Sequence, residues 1–320
     1  MNLGIVGSGK IVETCLSTIK TMQQINCIAI CSRTQSINKA KTLAKKYKIT
    51  YVYTCFEDML CNKEIDFIYI GINNHVHYDY AKKALLYNKN VIIEKPFAVS
   101  LKQAIELKKL AKKRRKFLYE AITTVYMPNY QRLLKLKQEI GKINLIQCNF
   151  SKVSSHFIEY TQGIIHSAFS KEDFGGALFD LNIYNITFVV GLLNEPEKMM
   201  YYYNEGYNGV DLSGVVILKY KDAVAYCTAA KDSLGENFAY VQGSYGYLKI
   251  YGGLNYCHKL EITINGQHCI YEEKIPYKNR MQYEFMEFED QFIKRDYEKC
   301  YRILQQSIKV AEIIDKIKYC

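Results

Sequence analysis

Several features that would settle the class of a protein at a glance are scarce or missing here. The 320 residues include only four prolines, and neither an internal repeat nor a low-complexity linker is visible, so a long flexible connection between domains is not expected. No apolar run approaches the ~18–20 residues that cross a bilayer. The longest candidate, Ile186 to Leu193, lies inside a helical pattern. A secretory leader is also missing from view, because residues 2–6 already read as a strand. Eleven cysteines, from Cys15 to Cys320, contain no C-x-x-C pair, are odd in number and sit mostly in apolar segments. That pattern suits reduced, largely buried thiols in a cytoplasmic protein rather than a disulfide framework. Clustered ligands for a structural zinc are not apparent, so no metal is expected.

Charge of one sign is in excess, with 43 Lys+Arg against 32 Asp+Glu and a net +11. The densest basic run, Lys108 to Lys116, closes a helical stretch, where cations complement the helix dipole. The remaining lysines are dispersed. A nucleic-acid binder concentrates its cations on one face, so a solvated basic surface is the better reading.

The length suggests about two domains. From the N-terminus, strand-like and helix-like segments alternate. The apolar strands are Leu3–Val6, Cys27–Ser32, Tyr51–Tyr53, Phe67–Ile72, Val91–Glu94 and Phe117–Ala121. Between them apolar residues recur at helical spacing, as in Ile11, Val12, Cys15, Leu16 and Ile19. Strands apolar throughout and joined by helices predict a doubly wound parallel sheet over residues 1–122. Beyond it the pattern changes. A helix at Tyr130–Ile140 and a strand at Leu145–Val153 precede a helical stretch from Gly175 to Leu193. Strand-like runs then follow without helices, including Phe238–Tyr251 and Leu260–Ile264, the latter closed by an Asn265-Gly266 hairpin turn. Residues 123–320 therefore predict an α/β domain with an open, mostly antiparallel sheet. Its two closing helices, Met281–Lys294 and Glu298–Lys318, are free to pack back on the first domain.

The first strand ends in Gly7-Ser8-Gly9-Lys10-Ile11-Val12, directly before a helix. The first glycine permits the tight turn and the second lets a pyrophosphate approach the backbone. The helix N-terminus offers amides and partial positive charge to phosphates. Val12 stands where Gly or Ala is usual, and its bulk is expected to push the helix slightly off the strand. The second strand ends in Ser32-Arg33 rather than the acidic residue that accepts hydrogen bonds from an NAD ribose. Arginine pairs with a 2′-phosphate, which favours NADP over NAD, with Lys10 and Lys39 as further cations.

Three segments, taken together, carry a resemblance: Glu94-Lys95-Pro96 after the fifth strand, Gly175-Gly176-Ala177-Leu178-Phe179-Asp180 opening a helix, and Ser32-Arg33 with Lys39-Ala40. In this order the chain resembles the glucose–fructose oxidoreductase/inositol dehydrogenase/MocA family along essentially its whole length. The resemblance implies a Rossmann domain followed by an α/β domain whose open sheet often forms a dimer contact. It implies hydride transfer at a hydroxyl- or carbonyl-bearing carbon of a sugar, polyol or dihydrodiol. It implies that Lys95 orients the reacting oxygen, with Glu94 positioning its loop, and that Asp180 and Tyr184 are its partners. Tyr184 matches the branch similar to dihydrodiol dehydrogenase, where His is otherwise common, and is the implied acid–base group. A phenol with pKa ~10 is poorly suited to that role at neutral pH, and a nearby ammonium would favour the phenolate. The loop Asn73-Asn74-His75-Val76-His77 resembles the family's loop beside the nicotinamide, with Asn74 and His77 matching. Glu120 resembles a further cofactor-side position, and His156, His166 and Tyr126 are candidates to face the substrate.

Val12, Asn73 and Asn182 depart from the family pattern. Asn182 replaces the usual Gly and tolerates unusual backbone angles. These departures motivate the alternative of a non-catalytic dinucleotide or sugar sensor on the same fold.

Overall fold

The computed structural model describes residues 1–318; Cys320, counted above among the cysteines, lies outside them. Packing divides the chain into two compact units, one made of residues 1–121 and 278–305, the other of residues 122–277 and those from 306 onward. Relative to a boundary at 122/123, the segment 278–305 thus counts with the first unit.

In the first unit, β1 (Asn2–Val6), β2 (Asn26–Cys31), β3 (Tyr51–Tyr53), β4 (Phe67–Ile70), β5 (Asn90–Glu94) and β6 (Leu118–Ala121) form one sheet in the order β3-β2-β1-β4-β5-β6. Every adjacent pair is parallel, with Val6 opposite both Cys31 and Ile70. Residues of β4, β5 and β6 are buried throughout, as a sheet covered on both faces requires. The connections carry α1 (Lys10–Ile19), α2 (Ile37–Tyr47), the short α3 (Phe56–Cys61), α4 (His77–Leu86) and α5 (Leu101–Arg114). The basic run ends α5, with Lys112, Lys113 and Arg114 in its last turn and Arg115 as a left-handed C-cap.

The second unit begins with α6 (Pro128–Leu136), β7 (Ile143–Ser151) and the one-turn helix α7 (Phe157–Thr161). The helical stretch near Gly175 opens with a π-turn at Leu178–Asn182 and continues as α8 (Ile183–Leu193). Then come β8 (Lys198–Glu205), β9 (Asp211–Lys219), β10 (Val224–Ala230), β11 (Phe238–Gly243), β12 (Gly246–Tyr251), β13 (Lys259–Ile264) and β14 (Gln267–Glu272). The run Phe238–Tyr251 is not one strand. It folds at Ser244-Tyr245 into the β11–β12 hairpin, and Gly243 and Gly246 flank that turn where a Cβ would run into neighbouring backbone. The eight strands are ordered β14-β13-β12-β11-β7-β10-β9-β8, antiparallel except for β7 with β10. Burial alternates along β7 and β10 to β13. Ile146, Cys148, Ala225, Cys227, Val241, Leu248 and Ile250 form the covered face, while Gln147, Tyr226, Tyr240, Tyr247 and Glu261 lie on the other.

The chain closes with α9 (Gln282–Lys294) and α10 (Tyr297–Ile317). Helix α9 belongs to the first unit and packs aromatic rings onto its sheet: Phe292 meets Phe67 edge-on at 5.1 Å, and Phe288 stacks on Tyr119 at 4.3 Å. Among the described residues no helix is long and apolar enough to cross a membrane.

Candidate functional site

The first unit carries a cleft of about 490 Å³ at the carboxyl ends of β1, β2 and β4. The strand order reverses between β1 and β4, and open α/β sheets bind ligands at such a switch point. Gly7 makes the turn out of β1. Its φ of +113° lies in the region that favours glycine, and a Cβ there would sit 2.3 Å from the Gly71 carbonyl oxygen. Gly9 caps α1, and a Cβ on it would meet nothing within 4 Å. The space above Gly9 therefore belongs to the cleft and is open for a phosphate group beside the first amides of α1. Val12 packs where Gly71 leaves room for it. It is fully buried, and its Cγ2 occupies the space that a Cβ on Gly71 would need.

Of the sequence-derived cofactor residues, Gly7, Gly9, Ile11, Ser32 and Arg33 line this cleft, as do Lys39, Asn73 and His75. Ser8, Ser36, Thr54, Phe56 and Tyr80 line it too and were not picked out from the sequence. Arg33 and Lys39 are exposed, and none of the lining residues is acidic. Lys10, the first residue of α1, and Asn74 lie outside the lining set.

His77, Glu94 and Glu120 are buried instead around the loop that follows β5. His77 bridges two backbone carbonyls, with Nδ1 3.0 Å from Pro96 O and Nε2 3.0 Å from Ile72 O. Burial holds its pKa below the usual histidine value, against the pull of those carbonyls. Glu120 accepts the Phe97 N–H at 2.8 Å, and Glu94 accepts the Tyr69 hydroxyl. Burial raises the Glu94 pKa. All three side chains fix the backbone on either side of Lys95, which is itself half-buried at the end of β5.

In the second unit the Gly175-Gly176 pair permits two close approaches. A Cβ on Gly175 would lie 2.5 Å from Ser167 O, and one on Gly176, at φ +94°, would lie 1.9 Å from Asp211 Oδ1. Asp211 accepts the Leu178 N–H at 2.6 Å, which satisfies an amide at the start of the π-turn, and the Tyr201 hydroxyl at 2.6 Å. Asp180 pairs with Lys231, whose Nζ lies 2.8 Å from Oδ2 and donates to Ala168 O at 2.6 Å. The Lys231 side chain is 1% exposed and that of Asp180 38%. Tyr184 is half-buried and packs on Phe150, Ala177, Leu181 and Ala229, with the Phe150 ring edge-on at 5.7 Å. Asp180 sits in the π-turn and Tyr184 in the first turn of α8, so their spacing is not that of an uninterrupted α-helix. Asn182 has ordinary helical angles (φ −68°, ψ −21°), which corrects its reading as a residue tolerant of unusual ones. Its value is its amide: it donates to Cys227 O at 2.9 Å and accepts from Asn185, tying the π-turn to β10. Tyr126 is buried in a 3₁₀ turn at Thr123–Tyr126, and His156 and His166 flank α7.

Two family descriptions match the chain: an oxidoreductase family NAD-binding Rossmann fold over residues 1–122, and the GFO/IDH/MocA C-terminal domain over residues 131–249. The chain belongs to the GFO/IDH/MocA family. It is an oxidoreductase with an NAD-binding Rossmann domain and an α/β second unit. It is 28% identical over 253 residues to scyllo-inositol 2-dehydrogenase (NADP(+)) of Bacillus subtilis (strain 168), covering 78% of this chain and 76% of that one. It is 30% identical over 224 residues to trans-1,2-dihydrobenzene-1,2-diol dehydrogenase of Xenopus tropicalis, covering 68% and 64%. In fold it is similar to a 3-ketoreductase from Actinomadura kijaniata in complex with TDP-benzene and NADP, with a TM-score of 0.82, 18% identity, and coverage of 100% of this chain and 97% of that one.

Proposed function

We propose that this protein is an NADP-preferring oxidoreductase that moves hydride between the nicotinamide and a hydroxyl- or carbonyl-bearing carbon of a sugar-like, polyol or dihydrodiol substrate. The observation that carries the cofactor reading is the switch-point cleft, with an open face over Gly9, two cations (Arg33 and Lys39) and no lining carboxylate. A carboxylate there would oppose a 2′-phosphate, whereas the Arg33 guanidinium pairs with one. The names of the inositol and dihydrodiol relatives support the substrate class.

In this reading the bound dinucleotide carries the hydride. Tyr184 gives its phenolic proton to the carbonyl oxygen on reduction and takes it back on oxidation. Lys95 holds positive charge beside that oxygen and favours the phenolate. Asp180, oriented by Lys231, accepts a hydrogen bond from a second substrate hydroxyl. His77, Glu94 and Glu120 act as positioning residues for the Lys95 loop. The protein works in the cytoplasm as a homodimer or higher homo-oligomer, paired through the open face of the eight-stranded sheet, where Tyr226, Tyr240 and Tyr247 lie. Light scattering on the full chain tests the oligomer.

Fluorescence titration with NADPH and NADH tests the cofactor, and Arg33→Ala is expected to weaken NADPH at least tenfold while leaving NADH within threefold. Tyr184→Phe is expected to keep NADPH affinity and lower turnover at least ~100-fold on a responsive carbonyl substrate. Failure of both dinucleotides to bind would overturn the reading in favour of a sensor.

A further inference from the structure

We propose that the second unit holds a divalent transition-metal site, of the kind zinc occupies, formed by His156 Nδ1, Glu159 Oε2 and His166 Nε2. These three ligand atoms lie within 4.8 Å of one another. Both imidazole nitrogens converge on one carboxylate oxygen, His156 Nδ1 at 2.8 Å and His166 Nε2 at 2.9 Å. The two rings lie 4.1 Å apart, centroid to centroid. His166 Nε2 is shielded from solvent and, despite its closeness to Glu159, lacks the alignment of a hydrogen bond. A dication held by both imidazole nitrogens and the carboxylate gives His166 Nε2 the partner it lacks.

Two histidines and one carboxylate are a donor set for zinc and its first-row neighbours, and three protein ligands leave a position for water or another oxygen. Metal–ligand bonds of ~2.0–2.2 Å in a tetrahedral site separate the donors by ~3.3 Å, so the nitrogens and oxygen move apart by about 0.4 Å. The three side chains are 37–46% exposed and free to make that adjustment.

His156 precedes α7 and His166 follows it, so the metal fastens the two ends of one segment. Without it that segment is held inward by Tyr160 and Phe169, which pack with Val210, and it turns Ile158, Ile164 and Ile165 toward solvent. Two residues beyond His166, Ala168 O holds Lys231. The metal therefore acts as a clip on the segment that anchors the Lys231–Asp180 pair. This site stands independently of the hydride-transfer reading, because its test reads metal binding.

Isothermal titration of chelator-treated full-length protein with Zn²⁺ is expected to give one site with Kd of about 1 µM or tighter and a rise in Tm on loading. His156→Ala and His166→Ala should each weaken binding at least 100-fold and abolish the Tm rise, and Glu159→Gln about tenfold. Their metal-free Tm should equal that of the parent, as expected for half-exposed side chains. Among the described residues, Cys61 and Cys269 are the exposed thiols that would compete. Cys61→Ser/Cys269→Ser should leave binding unchanged, and the Co²⁺-loaded protein should lack thiolate charge-transfer absorption. No saturable binding below about 100 µM, equal affinity in the histidine variants, or loss of binding in the serine variant would each overturn the site.

Discussion

The two units build their sites from different materials. In the first, the cleft is shaped by backbone: a turn at Gly7, an open amide face at Gly9, and Gly71 making room for Val12. In the second, the corresponding geometry depends on charged and amide side chains that reach across the chain, Lys231 to Asp180, Asp211 to Leu178 and Asn182 to Cys227. A backbone-made site is fixed by sterics and tolerates change in the side chains around it. A side-chain-made site fails when one partner is removed, because the other is left buried or unpaired.

The sharpest way to break the comparison is Lys231→Met. It leaves Ala168 O without its donor while Asp180, 38% exposed, turns to water, and an unfolding free-energy loss of about 2–2.5 kcal/mol is expected in a denaturant titration. An unchanged midpoint would mean that Asp180 holds its place by other means. Next in size is Gly7→Ala, which asks an L-residue to adopt φ +113° against the Gly71 carbonyl. About 2 kcal/mol of stability should go, together with dinucleotide binding. Gly9→Ala separates the two effects. With nothing near its Cβ, stability should stay within about 0.5 kcal/mol, while NADPH affinity falls at least tenfold if phosphate takes that space. Equal affinities would place the pyrophosphate elsewhere.

The last effect concerns pH. Glu284 on α9 is 1% exposed, and neither carboxylate oxygen has a hydrogen-bond partner. Burial, then the charges of Glu94 and Glu120, push its pKa well above the ordinary 4.5, against Arg280. The native chain keeps a proton that the unfolded chain releases as pH rises through 4.5, so stability falls above that point. Glu284→Gln keeps the shape without the titration. Its Tm should match the parent near pH 4 and exceed it progressively toward pH 8; a constant offset would show that Glu284 does not titrate as described.

How much of this was legible in the sequence follows the same division. The parallel sheet, the Gly7–Gly9 turn and Ser32-Arg33 were readable because local apolar runs, glycines and strand ends specify them. The Gly175-Gly176 pair was legible as a motif, but its cause lies in Ser167 and in Asp211, 35 residues from Gly176. Lys231 was missed because it looks like any other lysine until folding brings it to Asp180, 51 residues earlier. His77 and Glu120 were expected beside the cofactor, and the structure gives them backbone carbonyls and amides as partners, which no spacing in the sequence announces. The spacing of His156, Glu159 and His166 resembles no standard ligand pattern, and only the turn of α7 brings them together.

The π-turn at Leu178–Asn182 has a consequence for what this chain can become. It takes up one surplus residue within a single wide turn, so the segments before and after it keep the phase of an uninterrupted helix. Removing one residue there would restore plain helical winding with the flanking faces still aligned, whereas the same deletion within α8 would rotate one side against the other by about 100°. The turn is therefore a place where the chain can change length by one residue without turning Tyr184 away from Phe150.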